Sequence, residues 1–331
     1  MMRLTRFFPS LVALAICAGT TIQGSAAQAQ GCAGVPKSCA EQAGGDPSQG
    51  WARAALDKSP RHREYVTVEH DGRKINVFVV YPEVSKKAPV VVLIHEIFGL
   101  SDWMKLQTDE LAAKGYIAMT PDLLSGLGAD GGGTHELFMT TGTNDPVTKA
   151  IQTLAPAQVV ADLNAVADYG KKLPSANGKL AVAGFCWGGG KSFDFATHRA
   201  DLSAAFVFYG PPPPAAAMSA ITAPVYGFYA ENDARIGATI PQATTDMKAA
   251  GKFYEPVTYA GAGHGFMRAG QAPDTSAENK AAWEQGFARM VKELDKATSG
   301  TKKVSAASSR KKNAMVAAAA AVQCHDMAGM E

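Results

Sequence analysis

The chain has 331 residues, 47% of them hydrophobic and 19% charged, which is enough to bury one large core and too apolar for a disordered chain. Its formal charge of +2 implies no general affinity for nucleic acid or other polyanions.

The first element is a leader. Arg3 and Arg6 precede the apolar stretch "FFPSLVALAICAG", which is too short to span a bilayer comfortably, and "AQA" at 27–29 is a small-residue cleavage site. Residues 1–29 therefore read as a secretory signal peptide cut after Ala29, and losing its two arginines takes the formal charge to zero. This predicts a periplasmic or secreted protein with no stable membrane insertion once the leader is removed. Residues 30–60 read as an N-terminal extension, where Cys32 and Cys39 either form an oxidised loop or stay as free thiols.

Residues 61–297 carry the domain. "YVTVEH" and "KINVFVVYP" alternate with period two around "DGRK", the pattern of an antiparallel hairpin. "APVVVLIHE" is a continuous β-rich run of the buried parallel type. A helix over "SDWMKLQTDELAAKG" follows, opened by Ser101 or Asp102 and closed by Gly115. Then come a strand "YIAMTPD", a Gly-rich insert, a helix "PAQVVADLNAVADYGKKL", a strand "GKLAVAGF" and a helix from "WGGGKSFDFATHR". "LSAAFVFYG" and "APVYGFYA" are two further strands, "IPQATTDMKAAG" a helix, "YEPVTYA" a short strand, and "DTSAENKAAWEQGFARMVKELDK" a long closing helix. Such alternation predicts an α/β fold, a mostly parallel central sheet with helices on both faces. Residues 298–331 are small, basic and alanine-rich and read as a disordered tail. Cys324, His325, Met327 and Met330 there are soft-metal ligand types, but they fix no geometry, and no metal or other cofactor is expected.

In sheets of this kind the chemistry gathers just past the strands' carboxyl ends. After "LAVAGF" stands Gly184-Phe185-Cys186-Trp187-Gly188, the G-x-S-x-G spacing of a nucleophile elbow with cysteine for serine. The small flanking residues allow a sharp strand-to-helix turn, and the helix N-terminus is expected to lower the thiol's pKa. After "APVYGFYA", Glu231 and Asp233 are candidates to orient a histidine; Asp233 is favoured, and helix capping is the other role it could have. His264 stands among glycines after "EPVTYA". Nucleophile, acid and histidine at 186, 233 and 264 follow the chain order of α/β-hydrolases. The loop after "APVVVLI" carries His95, Glu96 and Ile97, where that fold supplies an oxyanion-hole amide.

Together "HEIFGL", "PDLL", "GFCWGG", "ENDARI" and "GAGHGFMR" resemble the dienelactone hydrolase family of α/β-hydrolases over residues 61–296. The resemblance implies a Cys186–Asp233–His264 triad, with the Ile97 and Trp187 backbone N–H groups as oxyanion donors. It also implies that Glu96 modulates the thiol, that Arg268 binds a substrate carboxylate and that Tyr209 lies near the site. The second carboxylate-binding arginine of that family has no counterpart, for residues 122–154 contain no arginine. The expected activity is hydrolysis of a small ester or lactone through a thioester, by a monomer that needs only its small-molecule substrate and no nucleic-acid partner. A general carboxylesterase or a non-catalytic ligand-binding protein of the same fold are the alternatives.

Overall fold

A computed structural model describes residues 46–299. The leader, Cys32, Cys39 and the tail with its possible soft-metal ligands lie outside the described residues. Eight strands form one sheet in the order β1-β2-β4-β3-β5-β6-β7-β8. They are β1 (Arg63–His70), β2 (Arg73–Val80), β3 (Ala88–Ile94), β4 (Ile117–Pro121), β5 (Ala176–Phe185), β6 (Ala204–Phe208), β7 (Val225–Asn232) and β8 (Tyr254–Gly263). The β1–β2 hairpin pairs antiparallel, β2 meets β4 antiparallel, and every other neighbouring pair is parallel. The hairpin turns on Asp71 and Gly72, both at positive φ.

The continuous apolar runs are explained by burial on both sides. Along β3, Val90, Val92 and Ile94 enter one core while Val91 and Leu93 enter the other. The first core is closed by Val159, Leu163 and Val166 of α5 (Pro156–Lys172), Phe193 of α6 (Trp187–His198) and Met247 of α8 (Ile240–Ala249). The second is closed by α2 (Asp102–Ala112), through Trp103, Met104 and Leu111, and by α10 (Ala277–Thr298), through Met290 and Leu294. Burying each such aliphatic side chain is worth about 1.5–3 kcal/mol, so neither face of the sheet could be left uncovered.

Two regions depart from the expected layout. Within the N-terminal extension, a 3₁₀ turn at Pro47–Gln49 leads into α1 (Gly50–Asp57), which lies on α2. Ala52 and Leu56 are buried, Gln49 Oε1 accepts from Trp103 N at 2.9 Å, and Arg53 donates twice to Asp102, each at 3.1 Å. The Gly-rich insert after β4 contains α3 (Thr134–Met139) and α4 (Asp145–Thr153). Their Phe138, Val147 and Ile151 form a small separate cluster against Ile97 and Trp187. Among the described residues, no helix is long and apolar enough to cross a membrane.

Candidate active site

Because β3 and β5 are neighbours while β4 lies on the other side of β3, the carboxyl ends of β3 and β5 flank the point where the strand order reverses. Gly184 of β5 is in register with Ile94 of β3 and with Val207 of β6. The segments that leave these strands therefore meet at one edge.

Cys186 directly follows β5 with φ 57° and ψ −116°, in the left-handed half of conformational space that a β-carbon disfavours. Its N–H is held by the Phe208 carbonyl at 3.0 Å. The turn is sharp enough that glycine is required on both sides. A β-carbon at Gly184 would sit 1.9 Å from the Gly188 carbonyl oxygen, and one at Gly188 would sit 2.3 Å from the Ile94 carbonyl oxygen. The glycines thus serve packing and exposure together: they let α6 touch the sheet while the sulfur is lifted above it.

His264 follows the end of β8, which runs through "GAG" to Gly263 rather than stopping before it. Its Nε2 lies 3.1 Å from Cys186 Sγ, and its Nδ1 lies 2.5 Å from Asp233 Oδ2. A carboxylate only accepts, so Nδ1 carries the proton, and Nε2 is left to accept from the thiol. Asp233 has both of the roles foreseen for it. Oδ2 takes the imidazole, while Oδ1 accepts from Ile236 N at 3.3 Å and caps α7 (Ala234–Gly237). Glu231 lies inside β7 instead of beyond it, and its Oε2 accepts from Gly261 N at 2.8 Å, away from the histidine.

The thiol's electrostatics run opposite to the sequence expectation. Burial and the Glu96 charge push Cys186 up to about 11, against the pull of the Trp187 and Ile97 N–H groups and of Arg235. A helix N-terminus lowers a thiol only when nothing stronger opposes it, and here a half-buried sulfur faces a carboxylate. The two N–H groups that favour the thiolate belong to different segments, the post-β3 loop and the first residue of α6.

Glu96 is not a solvated loop charge. It is buried and accepts from Arg268 Nε at 2.9 Å. Burial raises its pKa, and the guanidinium opposes that rise. Burial alone would lower Arg268, but Glu96 outweighs it and keeps the guanidinium charged. Arg268, on α9 (Phe266–Ala269), also lies over the Phe98 ring at 5.0 Å. Tyr209 is fully buried at φ 38°, its ring edge-on to His264 at 5.0 Å, where it packs the imidazole from behind.

Sequence reasoning gave no role to three residues. His95 is buried, donates from Nδ1 to the Glu96 carbonyl at 2.8 Å and accepts at Nε2 from Leu123 N at 3.3 Å, so it pins the post-β3 loop; burial lowers its pKa. Its ring stacks on Trp187 at 5.6 Å. Asp46 and Asn144 meet at the start of α4, where Asn144 Nδ2 donates to Asp46 Oδ2 at 2.9 Å. Both precede a proline in or at the start of a helix, "DPSQ" and "NDPV", and that helix-start signal was available in the chain.

Residues 75–298 match the dienelactone hydrolase family. A Yersinia pestis protein named "Putative carboxymethylenebutenolidase" is 29% identical over 70% of this chain and 86% of its own. A protein of the same name from Saccharolobus solfataricus is 29% identical over 67% of this chain and 96% of its own. The crystal structure of a "Putative Dienelactone Hydrolase" from Klebsiella pneumoniae superposes with a TM-score of 0.58 at 25% identity, covering 70% of this chain and 97% of that one. With the eight-stranded α/β-hydrolase sheet and the elbow at Cys186 already in place, this chain belongs to the dienelactone hydrolase family and is a hydrolase acting on ester bonds.

Proposed function

We propose that the protein hydrolyses a small ester or lactone with Cys186 as nucleophile, through a thioester. The observation that carries this reading is the hydrogen-bonded line Cys186 Sγ–His264–Asp233. The thiol proton passes to His264 Nε2 and the thiolate attacks the carbonyl carbon. The oxyanion takes the Ile97 and Trp187 N–H groups, each such donor being worth about 3 kcal/mol of barrier. The tetrahedral centre collapses with loss of the alkoxide, which leaves with the proton from His264. Water, deprotonated by His264, attacks the thioester; the acid departs and the sulfur regains its proton. Asp233 holds the tautomer throughout. The leader-like pattern of residues 1–29 supports a reaction outside the cytoplasm as part of the same proposal.

With burial first and the Glu96 charge second pushing its pKa up to about 11, the resting thiol is almost wholly protonated near neutrality. Substituting Glu96→Gln removes that charge and lowers the thiol pKa. One unit of lowering raises the thiolate fraction tenfold and, after the loss of intrinsic nucleophilicity, iodoacetamide labelling at pH 8 by at least about threefold. Timed mass spectrometry of Cys186 labelling across pH 7–11 measures this. An unchanged or slower rate removes Glu96 from control of the thiol.

A panel of lactones and aryl esters, assayed with the purified mature protein, tests the function itself. Turnover together with an acyl adduct on Cys186 is expected. If no member of the panel is turned over and the thiol shows no saturable, pH-dependent labelling, the protein is a ligand-binding member of the fold. Comparable rates for simple aryl esters and lactones would make it a general carboxylesterase.

A further inference from the structure

A cavity of about 790 Å³ opens between the end of α2 and α10, and none of its lining residues belongs to the site described above. That is the size of a small-molecule pocket. Trp283, Phe287 and Val291 recur every fourth residue on α10 and form an apolar wall. They run beside the stripe of Ala282, Met290 and Leu294 that α10 turns to the second core. The three wall residues are only half-buried, so aromatic and aliphatic surface is left open there. Ala288, between them, is exposed and adds no bulk.

Glu110 of α2 lines the same cavity, and neutral donors hold its carboxylate in place. Gln271 Nε2 donates to Oε1 at 2.8 Å and to Oε2 at 2.9 Å, and Gln107 Nε2 donates to Oε2 at 2.8 Å. Gln271 is itself fixed, its Oε1 accepting from Trp103 Nε1 and Gln107 Nε2, both at 2.7 Å. These amides orient the carboxylate and leave it without a counter-ion, for among the described residues no cation pairs with it. Oε1 receives a single donor and has room for another. Burial accordingly pushes the Glu110 pKa up to about 7. The remaining charges of the lining are answered. Arg61 is held by Asp109, Nε to Oδ1 at 3.0 Å, and Lys296 by Glu293 at 2.7 Å. The exposed Lys114 and Lys292 are matched in number by the exposed Glu284 and Asp295. Lys114 Nζ lies 5.9 Å from the centroid of the Phe287 ring, so that ring already accepts an ammonium.

We propose that this cavity binds a small organic cation, a protonated amine with an apolar body: the body lies against Trp283, Phe287 and Val291, and the ammonium donates to Glu110. The ligand supplies the counter-ion that the glutamines cannot, and the aromatic faces favour the same sign of charge. The site stands apart from the hydrolase chemistry proposed above, so the two readings can fail separately.

Calorimetry on the mature protein tests this at pH 8, where Glu110 is ionised and the amine probe is protonated. The probes are 4-phenylbutylamine, the neutral 4-phenylbutan-1-ol and the anionic 4-phenylbutyrate. The amine should bind at least about tenfold tighter than the alcohol, as a hydrogen bond to a charged group gives, and the carboxylate should bind more weakly than either. Glu110→Gln keeps the shape of the side chain and should abolish the preference for the amine. Ala288→Phe fills the cavity from an exposed position and should weaken amine and alcohol alike by about tenfold or more. Circular dichroism checks that both variants fold. If Glu110→Gln does not fold, the wild-type comparison and Ala288→Phe decide. Amine and alcohol affinities within about twofold of each other in the wild type, or no amine binding at all, overturn the proposal. So does a preference that survives in Glu110→Gln, or binding that Ala288→Phe leaves unmoved, since either puts the amine elsewhere on the molecule.

Discussion

Alanine at position 186 is expected to lower kcat/KM for an aryl ester by about 10⁴-fold or more. The variant removes only the sulfur. Asp233 still bonds His264, and the Ile97 and Trp187 amides proposed to hold the oxyanion are untouched. Because nucleophile and base act as a unit, losing one forfeits most of the combined effect, and the donors alone leave a residual acceleration of about 10³ over water. Steady-state kinetics measure the loss. Intact-protein mass spectrometry after rapid quenching should find an acyl mass on the wild type and none on the variant. Wild-type rates in Cys186→Ala would sink the cysteine mechanism, whatever the fold.

The second large effect is structural. A methyl group added at Gly184 would lie 1.9 Å from the carbonyl oxygen of Gly188, and 2.4 Å from its carbon. Both are backbone atoms of the first turn of α6, so no side-chain rotation relieves the clash. α6 cannot retreat either, since Gly189 has the Phe208 carbonyl at 2.2 Å from its own ideal β-carbon position. Overpacking against flexible side chains costs about 1–3 kcal/mol, and backbone against backbone costs more. Gly184→Ala should therefore lose about 3 kcal/mol or more of stability, together with activity. Chemical denaturation and turnover, measured on the same preparation, check it. A fully stable but inactive variant would mean that the elbow yields locally while the sheet does not.

Which features could be read from the chain follows from the range of the forces involved. The strands of the sheet were legible because their burial on both faces leaves unbroken apolar runs, as in "APVVVLI" and "LAVAGF". Cys186, Asp233 and His264 were legible because each closely follows a strand's carboxyl end, a position that chain order alone specifies. The Glu96–Arg268 pair spans 172 residues and has no local signature; only the resemblance singled out both residues. The direction of the thiol shift was misread because the elbow shows its helix N-terminus in the sequence, while the depth of burial and the facing carboxylate exist only after folding. The helices α3 and α4 were hidden by the glycines around them. Val147 and Ile151 had the i, i+4 spacing, but the run is short and "LGADGGG" reads as loop. Asp46 was counted with the extension because nothing in "GGDPSQG" tells that its arm lies on α2.

The shared carboxylate of Asp233 has a consequence for heat. One oxygen closes the opening turn of a four-residue helix, and the other keeps the imidazole proton on the side remote from the sulfur. Short helices fray at free energies far below that of global unfolding. Whatever loosens that turn also frees the acid to rotate, so on warming catalysis should fade while the two cores are still intact, and it should return on cooling.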